Sequence, residues 1–282
     1  MPAPQAMLMA TDAKNHFRSK QIKLAVDWSQ PTGEAGQQYV DAFDPSERNV
    51  PDTSNRLFVP ASTNKYHVDQ CVEVGRQFEE FIDGIFQAIA TAWQQWMMGA
   101  TLTMAMINGP TATITPGGLM GPPFMPLAMP LAPKTTPMLA KYSVAVLTAI
   151  GNAWTAWQTG WTGTLTYPPT FAACPMPVHP PTPNMPATLR TAGSSPGESM
   201  FEVNTLKGAM VAQLGMPTAP HHQELFESIA TSFKKHFDLW LSQTPIKCVL
   251  GTGPVPSYAP PFVPVGPVVV GMGNGIPGAM LT

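Results

Sequence analysis

The sequence predicts an α+β fold of three tandem modules, each an amphipathic helix followed by a β-hairpin and an extended Pro-rich tail. Three observations carry this expectation. Aromatic and aliphatic residues recur at three- and four-residue steps in three separate stretches, the spacing of one helix face. Each stretch is followed by β-prone residues broken by a turn signal. Each of those leads into an apolar segment studded with Pro. The order helix, hairpin, tail recurs three times, the signature of a chain built by internal repetition.

Residues 1–63 read as an extended polar N-terminal arm that wraps a neighbour. They are polar, contain Asp44-Pro45 and Val50-Pro51-Asp52, and hold only the short apolar run Ile22–Trp28. Module 1 covers residues 64–135. Its helix runs from about Val68 to Met98, with a stripe of Phe78, Phe81, Ile82, Ile85, Phe86, Ile89, Trp93, Trp96 and Met97. Thr101–Ile107 then reads as a strand, Asn108-Gly109 as a turn that tolerates positive φ, and Thr111–Ile114 as the return. The tail is Gly121–Pro126.

Module 2 covers residues 136–189. Its helix runs from about Met138 to Trp161, with Leu139, Tyr142, Val146, Ile150, Trp154, Trp157 and Trp161 on one face. Thr164–Tyr167, Pro168-Pro169 and Thr170–Ala173 form the expected hairpin, and Pro175–Pro180 the tail. Residues 190–220 are a polar linker with room for a short helix through Leu206 and Met210. Module 3 covers residues 221–282. Its helix runs from about His222 to Ser242, with Leu225, Phe226, Ile229, Phe233, Phe237, Trp240 and Leu241 as its stripe. Ile246–Leu250, a turn at Gly251–Pro254 and a return at Val255 follow, then the tail Tyr258–Pro264.

The helices also match one another. Ala88–Trp93 aligns with Ala149–Trp154 and with Ser228–Phe233, which gives Trp93, Trp154 and Phe233 one repeat position. Trp96 and Trp157 then coincide three residues on. Together with Trp240, Phe124 and Phe262 they are the expected core or interface residues, because buried aromatics dominate both kinds of surface.

Charge is distributed unevenly. The chain has 15 Lys and Arg and 17 Asp and Glu, and 20 of these lie in residues 1–83. Gly84–Pro133, Tyr142–Leu189 and Cys248–Thr282 contain none. Solvated loops normally carry charge, so these tracts are expected to be buried against each other or against another subunit. The net charge of −2 gives no basic field for nucleic acid. No run of 18 apolar residues exists to span a bilayer, and Asp12, Lys14, Arg18 and Lys20 break any N-terminal signal pattern. The three cysteines are far apart and odd in number, the usage of reduced thiols in a protein made in the cytoplasm.

Candidate chemistry is sparse. His221-His222-Gln223-Glu224 contains metal-ligand types, but adjacent residues on a helix point about 100° apart and rarely share an ion. The stretch reads better as a helix N-terminus, with Glu224 favourable to the dipole. Gly271-Met272-Gly273-Asn274-Gly275 is not followed by a helix, so it is expected to be a flexible or strand-capping end and not a phosphate cradle. Glu79, Glu80 and Asp83 read as a solvated face and not as an acid–base pair. No catalytic residue, cofactor or metal is expected.

Trp93-Gln94-Gln95-Trp96, Ile107-Asn108-Gly109-Pro110 and Gly117-Gly118-Leu119-Met120-Gly121-Pro122-Pro123 resemble structural proteins of contractile bacteriophage tails and related contractile injection systems. The resemblance covers residues 64–135, and the other modules by internal analogy. It implies a non-enzymatic virion or tail part (hub, inner tube or baseplate), made in the bacterial cytoplasm. Its expected partners are other subunits of the same assembly, by self-association or hetero-oligomerisation. Three modules in one chain would suit a pseudo-threefold position. Two other readings compete. A membrane-active secreted effector would insert the apolar tails, but lacks basic flanks. A metal-dependent enzyme would use His221 and His222.

Overall fold

The computed structural model describes residues 3–24, 56–63, 65–256 and 264–281. It is a mixed α and β structure: a bundle of helices, and a mainly antiparallel β-structure that begins at the C-terminal end of the long helices. The helices are α1 (Ala6–Ser19), α2 (Lys65–Gly99), α3 (Phe124–Ala128), α4 (Pro137–Gly160), α5 (Leu189–Ala192), α6 (Val203–Leu214) and α7 (His222–Gln243).

Local chemistry sets several of the helix ends. Thr136 caps α4, its hydroxyl accepting from the Leu139 N–H at 3.2 Å, and Pro137 fills the first turn where no donor is needed. Alpha6 stops at Gly215, whose φ of 61° is the left-handed cap that a Cβ disfavours. The helices touch in a closed circuit: α1 against α2 and α7, α6 against α7 and α4, and α3 against α4 and α2.

Inside that circuit the aromatic stripes of α2, α4 and α7 meet at successive levels. Phe81 and Phe226 both contact Tyr142, with ring centroids 6.0 and 5.5 Å away. Further along, Trp93, Trp154 and Phe237 are mutual neighbours at 4.9 to 5.9 Å. One turn on, Trp96, Trp157 and Trp240 are mutual neighbours at 5.6 to 6.1 Å. The levels advance in the same sense along all three helices, so the helices run in one direction and deliver their C-termini to the same end. Thr101, Thr162 and Pro245 begin strands there, each two residues past the end of its helix.

Those strands are β1 (Thr101–Leu102), β2 (Ala105–Asn108), β3 (Thr111–Ile114), β4 (Leu119–Met120), β5 (Thr162–Thr166), β6 (Val178–Pro183), β7 (Ala187–Thr188), β8 (Gly193–Ser194), β9 (Pro245–Ile246), β10 (Val249–Pro254) and β11 (Gly271–Gly275). Seven form one antiparallel sheet in the order β6-β10-β11-β2-β3-β5-β8; β1 pairs with β4, and β7 with β9. Strands from the first, second and third segments therefore share one sheet.

Several sequence expectations are corrected. The N-terminal segment is not an extended arm over Ala6–Ser19: it is a helix that buries Met9, Ala10, Ala13 and Phe17. Residues 25–55 lie outside the described residues. The β2–β3 loop is Gly109-Pro110, one residue later than expected, with Gly109 at φ 62°. The expected return strand at Thr170–Ala173 is instead a 3-10 turn at Pro169–Phe171. Pro168 and Pro169 have no N–H to donate, and both edges of β5 are already taken by β3 and β8. Gly251–Pro254 is part of β10, not a turn. Gly271–Gly275 is not a loose end: it is β11, inserted between β10 and β2. The first Pro tail turns helical as α3 and is not extended. Within the expected linker, Phe201, Leu206 and Met210 are buried.

Candidate interaction surface

Alternation along the strands divides the sheet into two unlike faces. The buried face carries small residues over β10, β11 and β2 and larger ones toward β5. Gly251, Gly273 and Ala105 are register partners across β10, β11 and β2; Gly271, Ile107, Ala112 and Leu165 continue the pattern to β5. Glycine is required where the Tyr167 ring lies against the sheet. A Cβ on Gly251 would sit 2.5 Å from Tyr167 Cε1, and one on Gly273 2.7 Å from its hydroxyl oxygen. That hydroxyl donates to the Val249 carbonyl at 3.1 Å, and burial pushes it up to about 12.

The opposite face is open. Thr252, Met272, Met106, Thr113 and Thr164 are successive register partners across five strands. Asn108, Thr111 and Thr166 form a second row, and Leu250 pairs with Asn274. Met106 and Met272 are each 56% exposed. No strand of this sheet contains Asp, Glu, Lys or Arg. Both edges are closed to further pairing. Beta6 carries Pro180, Pro181 and Pro183, and β8 is only two residues long.

Charge is concentrated on the helices instead. Lys14 pairs with Asp83 at 2.8 Å and Arg18 with Glu79 at 3.1 Å, joining α1 to α2. Glu79 and Asp83 are thus the seat of α1, and not simply a solvated face. Ser228, Ser232 and His236 line the side of α7 that meets α1. The Ser232 hydroxyl donates to the Met9 carbonyl at 2.7 Å, His16 Nδ1 lies 3.1 Å from Ser228 Oγ, and His236 Nε2 lies 2.9 Å from Asp12. Glu227 receives Lys20 and Lys207, whose hydrogen bonds hold its carboxyl down to about 2.

Trp93, Trp96, Trp154, Trp157, Phe233, Trp240 and Phe124 are all buried within the chain, so they are core residues here; Phe262 lies outside the described residues. Phe124 stacks on Trp154 at 4.6 Å. Phe233 touches Trp93 at 5.4 Å, but Phe237, one turn later, is the ring that meets both Trp93 and Trp154. The sequence match of the third helix is therefore one turn out of step with the packing. The Trp96 N–H donates to Gln158 at 2.8 Å. Among the described residues, the indole N–H groups of Trp93, Trp154, Trp157 and Trp240 have no hydrogen-bond acceptor. The rings of Trp93 and its neighbours Trp154 and Trp240 meet edge to face, at 78° and 79°.

His221 and His222 do not converge on one point. His221 holds a left-handed φ of 51° at the helix entry, its ring 5.1 Å from Phe58, and burial lowers its pKa. His222 is buried and its Nδ1–H donates to the Ala219 carbonyl at 2.6 Å. Among the described residues no three His, Cys, Asp or Glu side chains are grouped to hold a metal. None of the three cysteines is in a disulfide; Cys71 and Cys174 are buried, and the Cys71 thiol donates to the Phe58 carbonyl. A groove of about 290 Å³ between α4 and α6 is lined by Ala140, Lys141, Val144, Gln213 and Leu214. It offers Lys141 no acid–base partner. No described helix is long and apolar enough to cross a membrane.

Sequence reasoning missed Met106 and Met272. The signal was present: Ala105-Met106-Ile107-Asn108 and Gly271-Met272-Gly273-Asn274 alternate small or apolar residues with larger ones at the strand period. Comparison with known proteins gives no matching family model, no matching curated protein and no matching solved structure.

Proposed function

We propose that this chain is a non-enzymatic structural component of a large assembly, a virion or tail part (hub, inner tube or baseplate) of a contractile phage or related injection system. The observation that carries this reading is the seven-stranded sheet with no ionisable strand residue but His179, one face open and its centre occupied by exposed methionines. An exposed neutral patch is a poor solvent surface and a good subunit contact. The helical side, with its ion pairs, is the surface suited to water.

We also read the three long helices and the strands that follow them as copies of one unit. The support is the order of levels: Phe81, Trp93 and Trp96 in α2 are answered by Tyr142, Trp154 and Trp157 in α4, and by Phe226, Phe237 and Trp240 in α7. The copies have merged into one core and one sheet. The Pro-rich segments then act as edge guards and connectors, as β6 does.

Co-expression with the proteins encoded beside it, followed by sedimentation and electron microscopy, tests the reading. The expected result is incorporation into a defined particle, lost when Met106 and Met272 are both changed to Glu. A chain that never co-sediments with any of them, whichever residues stand on the open face, would overturn it.

A further inference from the structure

Resting on the assembly reading, we infer that Met104 and Val270 are the anchor side chains of the subunit contact, kept in strained backbone for what they display to a different subunit. In both residues conformation and exposure run against chemistry. Met104 has φ 58° and Val270 φ 52°. A residue with a Cβ is strained there, and a β-branched one more so. Both are also apolar and open to solvent, Met104 by 52% and Val270 by 75%. Of the described large apolar residues only Met7 is more exposed.

The fold explains the backbone at these places but not the side chains. Met104 is the joint between two pairings: the Thr103 N–H donates to the Gly118 carbonyl at 2.8 Å, and β2 pairs with β11 from Ala105 onward. Cys248 is the matching joint between β9 and β10, also with φ 58°. Each lies five residues past its helix, which ends at Gly99 or Gln243. The recurrence means that the geometry calls for left-handed backbone whatever residue stands there. At Val270 the entry to β11 is fixed by two bonds. The Val269 N–H donates to the Pro254 carbonyl at 3.1 Å, and the Val270 N–H to Asn108 Oδ1 at 3.2 Å. Glycine or asparagine would meet either demand with less strain. Gly109 and Gly117 do so in the neighbouring loops, at φ 62° and 82°.

A strained residue is ordinarily kept because its side chain packs inside. Cys248, which is partly buried, fits that account. Met104 and Val270 do not, since each is both strained and solvated. For the isolated chain asparagine would be the better residue at both positions. Their benefit therefore lies in a contact outside the chain, the usual setting of retained strain.

Their placement agrees. Met104 directly precedes β2, Val270 directly precedes β11, and these strands are antiparallel. The two residues thus flank the register pair Met106 and Met272 from opposite ends, about 13 Å apart along the strands. The contact needs only these two neighbouring strands, and no charge lies along them. Two apolar knobs are best received by uncharged hollows. The groove between α4 and α6 of a second copy is a poor receiver, because Lys141 and Gln213 line it. The occupant is a different subunit of the assembly.

The test compares the full-length wild type with Met104→Asn plus Val270→Asn, with Met106→Glu plus Met272→Glu, and with Val72→Asn as a control. Val72 is 50% exposed on α2, so its change removes an apolar side chain without relieving strain. Thermal unfolding of each purified chain is measured, then its entry into particles on co-expression with the proteins encoded beside it. The Asn pair should unfold about 2–4 °C above the wild type, yet enter particles at least tenfold less. Val72→Asn should do neither. A chain made more stable and less able to assemble has not simply misfolded. An Asn pair that unfolds below the wild type overturns the inference, because the two side chains then support the fold. An Asn pair that assembles normally overturns it too; if the Glu pair is still excluded, the assembly reading survives alone. A wild type that enters no particle overturns both. Self-association of the purified wild type that the Asn pair abolishes overturns the different subunit as occupant.

Discussion

The aromatic centre of the helix bundle and the open face of the sheet are both free of charge, and composition alone does not separate them. The structure gives them opposite fates. Trp93, Trp96, Trp154 and Trp157 are at most 1% exposed, whereas Met106 and Met272 are more than half exposed. The difference lies in the period. In α2 and α4 the large rings recur every three or four residues, so they fall on one side and enclose one another. In β2 and β11 the period is two, and the sheet's inner face is already filled by glycine and alanine against Tyr167. The larger residues are left outside. Here an uncharged tract marks burial within the chain where it is helical, and an exposed row where it alternates along a strand.

This comparison is broken most directly by removing a ring from the centre. Trp154 touches Trp93, Trp96, Trp157, Phe124, Phe201, Phe237 and Trp240. Trp154→Ala should lower the unfolding free energy by about 3–5 kcal/mol, through lost transfer energy and the cavity left behind. Chemical denaturation followed by tryptophan fluorescence measures it. A loss no larger than that of a surface change would mean that the bundle does not depend on its aromatic levels. Next in size is the inner face of the sheet. Gly251→Ala places a methyl into the Tyr167 ring and should cost about 1–3 kcal/mol by overpacking. Gly251→Ala with Tyr167→Phe should not recover it, since the clash is with the ring edge and not with the hydroxyl.

The same contrast explains what was legible in the sequence. The three helices and their stripes are, because a 3.6-residue period over many turns is a redundant signal. The sheet was only half visible. Gly251, Gly253, Gly271 and Gly273 look like turn residues, and nothing local says that Tyr167 fills the space beside Gly251 and Gly273, or Val268 the space beside Gly253 and Gly271. Strand partners were likewise hidden, since β2 pairs with β11 across most of the chain. Alpha1 was missed because its buried face is made of Met9, two alanines and Phe17, and its other anchors are polar. The open face was readable only after the sheet order was known, because Met106 and Met272 become neighbours through pairing and not through sequence.

A smaller effect separates the two sides by pH. Lys20 and Lys207 hold Glu227 down to about 2, below the ordinary 4.5. Asp12 is also lowered: burial opposes this, but hydrogen bonds from Lys235 and His236 outweigh it. A carboxyl whose folded pKa is depressed contributes fully above its unfolded value and loses that contribution as pH falls through the folded one. Burial, with Lys20 nearby, lowers His16 below 6.5, and protonating it works in the same direction. Docking of α1 should therefore weaken steadily from about pH 6 toward pH 2, and Glu227→Gln should flatten the lower part of that fall by about 1 kcal/mol. Urea midpoints across the range measure it. The open face has no carboxylate, so a subunit contact made by it should change little with pH or salt while the fold persists. Association with other subunits that collapses with added salt would instead place the contact on the charged helices.

The smallest expected change in stability is on the open face itself. Met106 and Met272 are register partners on β2 and β11 and are more than half exposed, so truncating them should leave no cavity. Threonine already occupies the flanking positions Thr113 and Thr252 and has the higher preference for a strand. Met106→Thr and Met272→Thr should thus alter monomer stability by no more than about 0.5 kcal/mol in either direction. An evolved solvent surface would tolerate them without consequence. A contact surface would not: the same two changes should weaken association with partner subunits several-fold, because apolar area in the contact is lost. Thermal unfolding at low concentration reads the first quantity and sedimentation the second. If both move together, the methionines belong to the core; if neither moves, the face is simply solvent surface.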